Sequence, residues 1–388
     1  MQRVCVTGLG IVSCLGNDAA AVSRALAEGR PGISYRADFA ERGLSSRVAG
    51  VPDLSAAAPI PRKLRRYMAD AAVYAYHAMA AAILDAGLDE AQLRDARCGL
   101  IVGSGVGSTL MLQDAYETLR TRGMEKLPPY YVPQVMGSTA SACLAQAWNI
   151  GGPSYTLSAA CASSAHSLGC AADLIRHGVL ERAIAGGAEE VAWTSACLFD
   201  AMGALSTHWN DTPATASRPF DRARDGFVIA GGAGMLVLES ESAARRRGAH
   251  IYAELSGYGA SSGGADMVQP DPAAVAQAMQ AALQQAGRPR VDYLNPHATS
   301  TPLGDSVELD AIRRVFGAEL PAISSTKGLT GHAIGAAGVH EAIFCLLMLE
   351  REFMAASANL FEPDPATAGL PILRDVRPGR FDCAMSTS

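Results

Sequence analysis

The sequence predicts an α/β protein in which helices layer over buried sheet and the chain divides into two like halves. Three observations carry that expectation. Val- and Ile-rich runs ending on Gly or small residues recur along the chain, and Ala-rich stretches of helical length separate them. Two distant segments, "SYTLSAACASSAHSLGCAADLI" and "PAISSTKGLTGHAIGAAGVHEAIF", both read as strand, small-residue turn and Ala/Gly-rich helix. Alternation of strand and helix signals points to α/β layers. At 388 residues the chain also exceeds the size of a usual single core.

In chain order, strands are expected at 3–8, 98–103, 154–158 and 182–186, then at 226–239, 250–258, 291–295 and 322–326. Helices are expected at 63–86, 161–177, 272–286, 304–316 and 339–351. The charged "ESESAARRRGAH", 239–250, joins the halves, which we place at 1–248 and 249–388. Residues 209–226, "WNDTPATASRPFDRARDG", have the Asp, Pro and Gly content of a long structured loop.

Composition narrows the function. A net charge of -6 argues against a general nucleic-acid binder, so any anionic partner must meet a local basic patch. Nine cysteines, odd in number and without a CxxC pair, favour free thiols in a reducing compartment. The start, "MQRVCVTGLGIVSCLGND", reads as a first strand rather than a leader, because no small-x-small cleavage site follows it. No run approaches the ~18 apolar residues of a membrane span. A soluble cytoplasmic protein is expected.

The Gly-rich motifs are read as structural. "TGLGIVS", 7–13, lacks the third Gly and the acidic residue of a dinucleotide fingerprint, and a Gly turn is expected there. "VGSGVGS", 102–108, lacks the GK[ST] of a phosphate loop and suits close passage of backbone past another segment or a ligand.

Cys161 stands apart, in a turn of Ala and Ser before a predicted helix. A helix N-terminus stabilises thiolate and lowers a Cys pKa from ~8.5 into the range of about 3.5–7.5. Small neighbours leave room for a substrate carbonyl and let a backbone N–H face an oxyanion. The alternative reading is a buried, inert thiol. His297 stands in a hydroxyl-rich turn and His332 in a Gly loop five residues after Lys327, neither on an apolar helical face. Brought to a thiol, two imidazoles and an ammonium supply what acyl chemistry needs.

Taken in order, "AACASSAHSLG", "HATSTPLGD" and "STKGLTGHAIGAAG" resemble the Cys, His and Lys/His motifs of the condensing enzymes, the β-ketoacyl-acyl carrier protein synthases of the thiolase superfamily. The likeness spans essentially the whole chain, including "VTGLGIVS", "FDAMGALS", "ASRPFDRARDGFVIAGG" and "GADMV", and is closest to the synthase I type. It implies a thiolase-like five-layered αβαβα fold and decarboxylative Claisen condensation in fatty acid elongation. Cys161 would take the acyl chain, and His297 and His332 would bind the malonyl thioester carbonyl. Lys327, ion-paired with Glu308, would set the electrostatics, and Thr299 and Thr301 would bind the pantetheine arm. The resemblance calls for no cofactor and no catalytic metal. Alternatives are a ketosynthase of a polyene or polyketide pathway and a non-catalytic chain-length partner.

The resemblance also implies an acyl carrier protein as partner and a homodimer, or a heterodimer with a related chain. "PRKLRRYMAD" offers Arg62, Lys63 and Arg66 as docking positions, with Arg65, Arg120, Arg122 and Lys126 near in sequence or character; the alternative is a solvated helix face. Two departures from the family pattern are visible. Ala298 replaces the Gly that follows the first His in relatives, which would strain the turn if φ there were positive. Relatives also continue past "AMSTS" with a Phe- and Gly-rich loop and a last core strand, so the sequence as given is expected to be trimmed.

Overall fold

The computed structural model describes residues 1–264, 266 and 269–388; Ala265, Met267 and Val268 of "GADMV" lie outside them. In chain order the strands are β1 (Val4–Val12), β2 (Ile33–Tyr35), β3 (Val48–Gly50), β4 (Cys98–Gly103), β5 (Ser154–Leu157), β6 (Arg182–Glu189) and β7 (Gly232–Ser240). They continue with β8 (Ala253–Glu254), β9 (Tyr293–Asn295), β10 (Ala322–Ile323), β11 (Phe353–Met354), β12 (Arg377–Pro378) and β13 (Ala384–Ser386). Five helices shape the interior: α1 (Asp70–Ala86), α2 (Ser163–Arg176), α3 (Pro272–Gln285), α4 (Pro302–Phe316) and α5 (Ala337–Arg351).

One sheet has the order β5-β4-β6-β7-β1-β8, with β4 parallel to β5 and β6 and with β7 antiparallel to β6 and β1. A second, all-parallel sheet has the order β10-β9-β13. β4, "CGLIVG", is buried along its whole length, as a parallel strand covered on both faces must be. Each Leu or Ile so placed contributes about 1.5–3 kcal/mol through removal from water.

The layers follow from which faces are apolar. Ala75, Ala78, Met79 and Ala82 of α1 join one core with Leu100, Val102, Met235 and Val237 on the outer face of the first sheet. Leu168 and Ile175 of α2 and Ile343 and Leu347 of α5 share a second core with Ile101, Leu236 and Tyr293, between the sheets. Met279 of α3 and Leu309 and Ile312 of α4 pack with Leu294 and Ile323 of the second sheet. The stack is helix, sheet, helix pair, sheet, helix pair, which is the expected αβαβα order.

Several boundaries differ from expectation. "GLG" is no turn: Gly8 and Gly10 lie inside β1, and a Cβ on Gly10 would fall 2.0 Å from the Ala78 carbonyl oxygen of α1. The helix expected at 63–86 is broken into Arg62–Arg65 and α1, and the strand expected at 250–258 is regular only at β8, paired with β1. Ala298 does not have a positive φ; Ser300 takes that role at 77°, so Ala298 carries no backbone strain. The 209–226 loop turns inward, burying Ser217, Arg218, Phe220 and Asp221. All nine cysteines are free. Among the described residues no helix is long and apolar enough to cross a membrane.

Candidate active site

Cys161 lies at the turn between β5 and α2, two residues before the first helical residue, Ser163. Ala160 before it has φ 47°, a left-handed conformation that costs an L-residue about 1–2 kcal/mol. Ser163 holds it: its Oγ accepts from Ala159 N at 2.9 Å and donates to the Ala160 carbonyl at 2.6 Å. Sequence reasoning missed Ser163, although a hydroxyl at a helix start is a capping signal.

The small residues of this run are packing devices as well. A Cβ on Gly103 would fall 2.5 Å from the Ser163 carbonyl carbon, so the "VGSGVGS" backbone does pass close to another segment. Across the helix pair, a Cβ on Gly338 would lie 2.9 Å from the Ala165 Cβ, and Ser164 Oγ accepts from Val339 N at 3.0 Å. The N-termini of α2 and α5 therefore meet, and the residues just before each helix meet with them.

That meeting assembles the site. His332 Nε2 lies 2.8 Å from Cys161 Sγ, and the His297 and His332 rings are 5.0 Å apart and nearly perpendicular. Phe227 stacks edge-on behind His332 at 5.4 Å. Burial pushes the Cys161 thiol up to about 11, and the Lys327 ammonium opposes this. The lowered thiol pKa expected from a helix N-terminus is thus corrected: loss of water around the sulfur is the larger effect. Burial, aided by Lys327, holds both imidazoles well below their ordinary value, so they are neutral near pH 7.

Lys327 and Glu341 form a buried ion pair, each 2% exposed, and Ser388 Oγ donates to Glu341 Oε2 at 3.2 Å. This corrects the expected Lys327–Glu308 pair. Glu308 instead accepts from His297 N at 2.8 Å, Ala298 N at 2.7 Å and Thr387 Oγ1 at 2.5 Å. It fixes the turn that carries His297. Burial pushes the Glu341 carboxyl up to about 7 against the pull of Lys327.

Thr299 and Thr301 lie with their hydroxyl oxygens 3.3 Å apart. Thr299, His297 and Ala162 line a cavity of about 1330 Å³ that reaches Tyr258, Met279 and Leu346. The sulfur of Cys161 and ring nitrogens of His297 and His332 all lie within 4.8 Å of one another, a donor set a thiophilic cation could occupy. The Nδ1 atoms of both rings lack a partner, however, whereas a ligating imidazole is normally oriented through its second nitrogen.

The basic residues are elsewhere, on the surface. Arg62, Lys63 and Arg66 are exposed, and Arg66 stacks on Tyr67 and Tyr130 at 4.8 and 4.9 Å. Arg65 is tied to the Met68 carbonyl at 2.7 Å, and Arg120 pairs with Glu117 at 2.7 Å.

Comparison with known proteins places this geometry. The family model described as Beta-ketoacyl synthase, N-terminal domain, matches residues 1–244, and its C-terminal counterpart matches 252–361. The chain is 49% identical to 3-oxoacyl-[acyl-carrier-protein] synthase 1 of Escherichia coli (strain K12), over 100% of this chain and 96% of that protein. It is 47% identical to the protein of the same name from Haemophilus influenzae, over 97% and 93%. A beta-ketoacyl synthase crystal structure from Burkholderia phymatum STM815 superposes with TM-score 0.93 at 36% identity, covering 100% of this chain and 96% of that one. A type II polyketide acyl carrier protein in complex with its ketosynthase matches with TM-score 0.90 at 30% identity, over 99% and 95%.

Proposed function

The chain belongs to the β-ketoacyl synthase family, and from that premise we propose that it condenses malonyl-acyl carrier protein with a Cys161-bound acyl chain, releasing 3-oxoacyl-acyl carrier protein in fatty acid elongation. The observation that carries this is the 2.8 Å approach of His332 Nε2 to Cys161 Sγ, with the His297 ring beside it. A thiol this well placed also favours a working synthase over a non-catalytic chain-length partner.

The chemistry proceeds without a net base in its first half. Cys161 sulfur attacks the acyl thioester, the bond to the carrier thiol breaks, and the proton of Cys161 ends on that leaving thiolate. Lys327, buried near the sulfur, stabilises the passing thiolate charge. The histidines act in the second half. Neither Nδ1 has an acceptor, and an orphaned N–H is costlier to bury than an orphaned lone pair, so the ring proton belongs on Nε2. Two Nε2–H donors then face the malonyl thioester oxygen. As the C–C bond to the carboxylate breaks and CO₂ leaves, they stabilise the enolate. Its carbon attacks the acyl–Cys161 carbonyl, and Cys161 departs as thiolate to regain a proton from water.

The partner is an acyl carrier protein, whose acidic surface suits the exposed Arg62, Lys63 and Arg66. A homodimer in the cytoplasm fits the family and the nine free thiols. Thr299 and Thr301 offer hydroxyls to the pantetheine arm.

Intact-mass analysis after incubation with acyl carrier proteins, then malonyl carrier protein, tests the reading. An acyl adduct absent from Cys161→Ala and discharged as a 3-oxoacyl product is expected. A wild type without adduct, together with undiminished malonyl decarboxylation by Cys161→Ala, sinks it. Charge reversal at Lys63 and Arg66 is expected to weaken carrier binding by roughly tenfold or more, least at high salt, with Tm unchanged. Equal affinity at low salt counts against the dock.

A further inference from the structure

We infer that Glu189, which the chemistry above does not use, is a positioning residue whose carboxylate rivets the 104–106 loop of the first half to the 334–336 turn of the second, and so sets how Cys161 meets His332. The inference rests on the reading of the preceding section.

The geometry is specific. Glu189 ends β6 at the centre of the first sheet and is 2% exposed. Its Oε2 accepts from Gly105 N at 2.6 Å and from Gly335 N at 3.1 Å; its Oε1 accepts from Ser104 Oγ at 3.2 Å and Val106 N at 3.4 Å. One carboxylate thus joins two segments that are far apart in sequence. Both glycines are needed for the junction. A Cβ on Gly335 would fall 2.7 Å from Glu189 Oε2 and 2.4 Å from Gly105 N, and one on Gly105 would fall 2.9 Å from Oε2.

Each segment leads to one reacting group. Gly105 backs the nucleophile turn: its carbonyl accepts from Ser158 Oγ at 3.4 Å, and a Cβ on it would fall 3.2 Å from the Ala160 carbonyl oxygen. Gly335 follows His332 by three residues, through Ile334 at φ 45°, a left-handed conformation that something must hold. The far side of the His332 loop is held by backbone hydrogen bonds, His332 N to Val228 O at 2.8 Å and Ala230 N to His332 O at 2.9 Å, with the Phe227 ring against the imidazole. Glu189 supplies the near side. Its four partners are neutral N–H and O–H donors, and a carboxylate buried without a matching cation in that set is a costly way to hold two loops. Burial pushes it up to about 7, which the donors oppose.

The test is Glu189→Gln, which keeps the shape but turns an NH₂ toward N–H donors. Expected is a fall in condensation kcat of about tenfold or more, with KM for both carrier substrates within about twofold and an unchanged dimer. In a His332→Ala background the same substitution should change the residual rate less than about twofold, because the route through His332 is already gone. Equal losses in both backgrounds mean a merely structural role and overturn the inference, as does a wild-type kcat in Glu189→Gln. If Glu189→Gln does not fold, Ser104→Ala, which removes one donor, should give a smaller loss that also vanishes with His332→Ala; a loss that persists there overturns the inference. The rate of Cys161 alkylation by iodoacetamide, compared across the same four proteins, needs no carrier substrate. It should change on Glu189→Gln only when His332 is present, and no change rejects the inference. A wild type that alkylates normally but never condenses would sink the proposed function and leave this second test standing.

Discussion

The two strand–turn–helix units, β5 to α2 and β10 to α5, share a path but not a turn. In the first, five residues separate β5 from α2, and Cys161 is among them. In the second, thirteen residues separate β10 from α5, room enough for a short helix, Lys327–Thr330, and the turn that holds His332. A short turn held by Ser163 presents the Cys161 thiol just before a helix start. A long one can fold back, so that Lys327 is caught by Glu341 of its own unit's helix while His332 reaches the sulfur. Similar frames therefore carry a thiol on one side and an ammonium and an imidazole on the other.

The largest expected effect breaks the long unit. Lys327→Met strands Glu341 in the core and should cost about 3–5 kcal/mol, read by denaturant unfolding. Adding Glu341→Met should restore most of that stability but not condensation; if stability is not restored, Glu341 is not the group that the loss of Lys327 leaves uncompensated.

A second measurement separates the units by pH. His340, in the first turn of α5, is fully buried with its pKa lowered to about 4, chiefly by burial. The unfolded chain then binds the extra proton below about 6.5, so this group makes stability fall as pH drops from about 6.5 to 4, by roughly 3 kcal/mol in all. Glu341, raised to about 7, has the opposite sign, so the difference between wild type and His340→Gln is the quantity to measure. Parallel pH curves for the two proteins would contradict it. The short unit has its own window: Cys161, raised to about 11, should lose stability as pH climbs from about 9 to 11, and Cys161→Ser should flatten that limb.

The smallest effects sharpen the contact between the units. Gly338→Ala pushes a methyl against Ala165 and should cost about 1–3 kcal/mol by overpacking. Ser163→Ala orphans the Ala159 N–H and should cost about 1 kcal/mol, with a larger loss in acylation rate than in stability. If Gly338→Ala were neutral in calorimetry, the helix starts would be farther apart than described.

Much of the site was legible in the sequence because its signals are local. A thiol between a strand and an Ala/Ser-rich helix, a His in a hydroxyl-rich turn and a His in a Gly loop each announce a residue off the apolar helix faces, where a packing role would be the default. What failed was pairing over distance. Glu308 and Glu341 both lie on helices, and nothing in their spacing says which one faces Lys327. Thr387 and the His297 turn claim Glu308, a contact made only because β13 lies beside β9. The thiol pKa failed for the same reason: a helix start is visible in sequence, whereas the water excluded by the neighbouring loops is not.

By itself, then, the sequence determined the layered α/β class and singled out Cys161, His297 and His332 in their turns, since periodicity and turn chemistry act between near neighbours. Only the tertiary structure decided which carboxylate meets Lys327, that burial pushes the Cys161 thiol up and not down, and that Glu189 ties the loops on either side of the site. Those depend on burial and on which segments the fold brings together, from 14 residues apart for Lys327 and Glu341 to 146 for Glu189 and Gly335, and in a low-dielectric interior such contacts shift the charge balance of the groups involved.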